Sequence, residues 1–60
     1  MTPDEAKVFA QLDWKQGLEP QMLARAAGIS QLDCDRACES LVKSGRATFR
    51  FGRYRKPRGS

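Results

Sequence analysis

The run Leu23-Ala24-Arg25-Ala26-Ala27-Gly28-Ile29-Ser30-Gln31-Leu32-Asp33-Cys34-Asp35-Arg36-Ala37 reads as the end of one helix, a tight turn and the start of another. Met22, Leu23, Ala26 and Ala27 are the apolar positions of a helix predicted over 20–27, beginning near Pro20. Gly28 ends it, because glycine accepts a left-handed backbone at little cost. Ile29 is expected to be buried in the turn. Ser30 is a strong helix cap, with Asp33 three residues on to return its bond. The next helix is predicted over 31–44 and stops at Gly45. Cys34, Ala37, Cys38 and Leu41 follow i, i+3, i+4, i+7 spacing and define its inward face, with Val42 at the edge. Leu32, Arg36, Glu39 and Lys43 fall on the outward face.

Upstream, Thr2, Pro3 and Glu5 spell a capping box with proline at the first helical position. Val8, Phe9 and Leu12 form a stripe flanked by Ala6 and Ala10, so a first helix is predicted over about 3–15, with Gly17 as its stop. Trp14 lies off that stripe, a position open to packing under the hairpin or to partial exposure. Leu18 can form a strand of one or two residues. Downstream, Phe49 and Phe51 alternate with Thr48 and Arg50, then Gly52-Arg53 suits a type II′ turn. Tyr54-Arg55-Lys56 returns, giving a hairpin over about 47–56 that Pro57 ends. Residues 57–60 read as a flexible basic tail. Phe49 and Phe51 are expected to cover the helices rather than to stack on bases. The expected core is Phe9, Leu12, Leu23, Ile29, Cys34, Cys38 and Leu41. The fold class is therefore mainly α with a small β-hairpin, in a single domain.

Sixty residues leave no room for a deep cleft between lobes. Histidine is absent, which removes the commonest acid–base group and metal ligand. Cys34 and Cys38 alone do not complete a zinc site and are expected to be reduced, buried thiols. No catalytic set, metal site, cofactor or small-molecule substrate is expected. Met1–Glu5 lacks the basic start and apolar centre of a signal peptide, and no apolar run reaches membrane length, so a cytoplasmic or nucleoid-associated location is expected. The charge is segregated. Residues 1–42 hold four cations against seven acids, net −3, whereas residues 43–60 hold seven cations and no acid, net +7. Such a basic end is either the electrostatic footprint of a polyanion partner or a solvated tail that keeps a very small protein soluble.

Three helices, a glycine-bounded turn and a basic hairpin together resemble the winged helix-turn-helix family. The sharpest likeness is Leu23-Ala24, Gly28-Ile29-Ser30, Cys34 and Ala37, where the family carries apolar, small, glycine and apolar residues at this spacing. The resemblance implies that the third helix enters the major groove of duplex DNA while the hairpin, or wing, contacts the backbone. It implies Gln31 and Arg36 as readers of bases or phosphates, with Leu32 turned outward toward either a thymine methyl or a protein. Lys43, Arg46, Arg50, Arg53, Tyr54, Arg55, Lys56 and Arg58 are the expected remaining contacts. Cys34 and Cys38 depart from the family's usual aliphatic residues. Asp33, Asp35 and Glu39 put acids on the third helix, two of them suited to the helix dipole and one to an i,i+4 pair with Lys43. The leading expectation is a duplex-DNA-binding regulator or accessory factor. Alternatives are a protein-interaction module using an acidic third helix, an RNA- or ribosome-associated protein, and a homodimer. One basic face formed by Lys43, Arg36 and the wing would favour DNA, whereas an acidic face of Asp33, Asp35 and Glu39 apart from the wing would favour a protein partner.

Overall fold

The computed structural model of the chain describes residues 1–58. Three helices are followed by an antiparallel hairpin: α1 Pro3–Gln11, α2 Pro20–Ala27, α3 Gln31–Lys43, β1 Thr48–Arg50 and β2 Arg53–Arg55. This is a winged-helix-like layout in one small domain. The capping box at Thr2 forms in full. Thr2 N–H donates to Glu5 Oε1 at 3.0 Å, and Glu5 N–H donates to Thr2 Oγ1 at 3.2 Å. At α3 the Ser30 hydroxyl accepts from Asp33 N–H at 3.1 Å, and only this half of the expected box is present.

Helix α1 is shorter than expected. It ends at Gln11 rather than near position 15, and Leu12 already has extended geometry. Asp13 supplies the reason: its Oδ1 accepts from Trp14 N–H at 2.7 Å and from Lys15 N–H at 3.5 Å. That side chain offers the backbone an alternative to the helical ladder. Gly17 is therefore not the stop. It is buried, and a Cβ placed on it would lie 2.7 Å from Arg53 Cβ. Its lack of a side chain lets β2 pass close to the α1–α2 connection. Leu18 forms the short strand expected of it, donating to Tyr54 O at 2.9 Å and accepting from Tyr54 N–H at 2.8 Å. Gly28 does end α2 in the left-handed region, with φ 71°.

The core is Val8, Leu12, Leu23, Ala24, Cys34, Ala37, Cys38, Leu41 and Ala47. All four inward positions read on α3 are buried. Phe9 and Ile29, expected in the core, are only half-buried against it, as are Leu18, Ala27 and Tyr54. Phe9 lies under the Lys56 ammonium at 4.5 Å, so a cation stem covers part of the ring instead of another apolar side chain. Met22 and Ala26 of the expected α2 stripe are exposed, since eight residues of helix present only Leu23 and Ala24 fully inward. The thiols are free, 3.9 Å apart, and Cys34 Sγ also approaches Pro20 O at 3.7 Å. Burial pushes the Cys34 thiol up and the Cys38 thiol up to about 12, the neighbouring sulfur and Asp35 adding to the effect on Cys38.

The hairpin turn differs from the type II′ expectation. Arg50 pairs with Arg53, so the two-residue loop is Phe51-Gly52, not Gly52-Arg53. Both loop residues have positive φ, 52° and 73°, as a type I′ turn requires. Phe51 is thereby expelled from the sheet and is 97 % exposed, and Phe49 is 49 % exposed. Neither ring covers the helices in the way expected. Tyr54 does so, with Phe49 stacked beside it at 4.5 Å. Of the expected flexible tail, Pro57 is half-buried and Arg58 sits 5.7 Å from the Trp14 ring, while Lys56 N–H donates to Asp13 O at 2.9 Å. Gly59 and Ser60 lie outside the described residues. Among the described residues, no helix is long and apolar enough to cross a membrane.

Candidate nucleic-acid interface

The register decides which way the hairpin's charges point. Residues directly opposite in an antiparallel pair share a face, and successive residues alternate. Phe49 and Tyr54 are opposite and point toward α3. Thr48 with Arg55, and Arg50 with Arg53, therefore project from the other side. There they meet the α1–α2 connection: Arg53 and Arg55 pass over Gly17, and Arg55 Nη1 donates to Lys15 O at 3.5 Å.

An open cleft of about 500 Å³ lies on that side, lined by Trp14, Lys15, Thr48, Arg50, Arg55, Lys56, Pro57 and Arg58. Five of these are cations and none is an acid. Trp14, 46 % exposed, has Lys15 Nζ at 5.3 Å and Arg58 at 5.7 Å from its ring. Such contacts hold both cations at the rim. Arg55 is half-buried, and its Nε has no hydrogen-bond partner among the described residues. That nitrogen is enclosed, so only the rest of the guanidinium could meet an external acceptor. From the sequence Trp14 is open either to packing or, if exposed, to marking an interface, and Lys15 is not singled out. The cleft gathers them with Arg50, Arg55, Lys56 and Arg58 because the Asp13 turn ends α1 early.

The other expected contacts lie elsewhere. On α3, the Leu32 and Arg36 side chains are both exposed. Gln31 is engaged, its Nε2 donating to Asp35 Oδ1 at 2.9 Å and to Pro20 O at 3.3 Å. Lys43 pairs with Glu39 at 3.5 Å, as the i,i+4 spacing suggests. Arg46 is exposed just after α3, and Tyr54 faces the helices. Asp35, Glu39, Val42, Lys43, Phe49 and Tyr54 line a separate groove between α3 and the aromatic side of the hairpin. The cations of the wing and the acids of α3 thus occupy opposite sides of the hairpin. Lys43 lies on the acid side with Asp35 and Glu39 and does not join the wing's cations.

The chain matches no protein-family profile, no curated protein and no solved structure with which it was compared.

Proposed function

We propose that the chain is a winged helix-turn-helix domain that binds duplex DNA by occupancy, performing no chemistry, and that the cationic side of the wing supplies most of the affinity. One observation carries this reading. The hairpin register sends Arg50, Arg53 and Arg55 to one side, where Arg50 and Arg55 join Lys15, Lys56 and Arg58 around a cleft whose lining holds no carboxylate. Arginine forks match phosphate oxygens bidentately, and a dense row of cations gains from release of condensed counterions. Leu32 and Arg36 are the α3 side chains free to reach base edges. Asp35 and Glu39 weaken the approach of α3 to phosphates, so sequence discrimination is slight compared with the electrostatic component.

The test is fluorescence anisotropy with a duplex, a single strand and an RNA hairpin over a range of salt. If about four to six phosphates are neutralised, log K for the duplex falls against log salt with a slope of about −4 to −5. Arg53→Ala weakens binding to all duplexes alike and makes that slope shallower by about one. Equal binding by wing variants and parent overturns the reading. The separation of Asp35 and Glu39 from the wing's cations is the arrangement that favours a second reading, in which the groove they form with Val42 and Phe49 is a contact for a basic protein partner. In that case Asp35→Asn with Glu39→Gln abolishes partner capture while the wing variants leave it intact.

A further inference from the structure

We infer that Phe51 is a wedge that enters the stack between adjacent base pairs and kinks the duplex held by the cationic side of the wing. This rests on the duplex reading above. Scattered exposed apolar side chains are ordinary on protein surfaces. Phe51 differs in three respects.

Its ring is almost wholly in solvent, at the outermost point of the hairpin. Its backbone has φ 52°, a region that glycine or asparagine enters readily and a bulky aromatic residue does not. The domain recovers nothing for that conformation, because the ring does not join the core or the Phe49–Tyr54 pair. Such a residue is unfavourable in the free fold, and an unfavourable backbone at a tip is where a functional role is sought. The third respect is its neighbours. Arg50 and Arg53 flank the turn, are paired across the strands and share one face. Two cations are therefore placed to grip phosphates on either side of the point where the ring would enter.

The tip is also the right shape and is firmly backed. A two-residue loop is a narrow end for a hairpin, and an aromatic ring fits the spacing of about 3.4 Å between stacked bases once a step is opened. Phe is among the side chains used as apolar wedges in duplex steps. Behind the tip, β2 is held on both sides, by β1 and by the two Leu18–Tyr54 hydrogen bonds. Tyr54 anchors the hairpin to the helical core. The wedge is thus mounted on a braced strand rather than on a free loop. Opening is easiest at TA and CA/TG steps, so the parent protein should prefer duplexes that place such a step under the tip.

The experiment compares the parent, Phe51→Asn and Phe51→Leu on a duplex with 2-aminopurine at a central TA step and a fluorophore pair at its ends. Asparagine accepts the left-handed backbone, so the hairpin is retained without the ring. The parent should raise 2-aminopurine emission and bring the ends closer. Phe51→Asn should lose both signals and about tenfold in affinity, with the salt slope unchanged. Phe51→Leu should keep part of each signal. Duplex binding by the parent without unstacking or bending overturns the wedge alone, as does an asparagine variant that behaves like the parent. Absence of duplex binding by the parent overturns the DNA reading and the wedge with it.

Discussion

Replacing Gly17 by alanine tests how the cationic side of the hairpin is held. The added Cβ would lie 2.7 Å from Arg53 Cβ, 3.0 Å from Arg55 Nη2 and 3.3 Å from Arg53 Cδ. Ordinary contact begins near 3.4 Å, so the first approach is short by 0.7 Å. The Arg55 terminus can swing aside, but Arg53 Cβ is fixed to the β2 backbone and moves only with the strand. A displacement of that size strains the two Leu18–Tyr54 hydrogen bonds, now 2.8 and 2.9 Å. Each is worth about 0.5–1.5 kcal/mol net, so the expected loss is about 1–3 kcal/mol. In a chain this small each kcal/mol lowers the melting temperature by about 4–8 °C. Urea titration followed by circular dichroism reads the change. Arg53→Gly removes the atom that the new methyl group would strike. The double variant should therefore be more stable than the sum of the two single losses by at least about 1 kcal/mol. Additive losses, or a Gly17→Ala protein as stable as the parent, would refute the close-approach argument.

Two further predictions concern titration. The Cys38 thiol is pushed up to about 12 by burial, whereas an unfolded thiol releases its proton near 9. The folded state therefore binds more protons between those values, and stability falls from about pH 9 upward, at a rate approaching about 1.4 kcal/mol per pH unit. Tyr54, also raised by burial, acts with the same sign, so Cys38→Ala should flatten part of this alkaline limb in urea midpoints taken from about pH 8 to 11. Glu5 is pushed down from 4.5 to about 2 by its bond from the Thr2 backbone, then by the hydroxyls of Ser40 and Thr2. Its contribution is present above pH 4.5 and disappears as pH falls toward 2, so Glu5→Gln should remove that step from the acid limb of thermal melts.

The helices were legible where a local rule and the burial pattern agree. Ser30, Gly28 and the spacing of Cys34, Ala37, Cys38 and Leu41 each act within one or two turns, and α2 and α3 form as read. The end of α1 was not legible from periodicity, because the stripe runs on to Leu12. The Asp13 side chain ends the helix, a competition that hydrophobic spacing does not register. The hairpin turn lies one residue earlier than its glycine suggests. A preference for glycine at the first loop position selects Gly52-Arg53, whereas the observed turn forces Phe51 to positive φ. That shift moves Phe51 from the sheet to the tip and brings Arg53 into the ladder. Hence most of the candidate cationic residues could be named from the sequence. Their side of the hairpin could not, nor could the partnership of Trp14 and Lys15 with them, because both depend on register and on the path of the α1–α2 connection.

The register also sets Arg50 directly across from Arg53, and like charges so placed oppose the pairing that aligns them. The free hairpin therefore holds two of its cations together at a cost that added salt screens and that a polyanion seated between them would reverse.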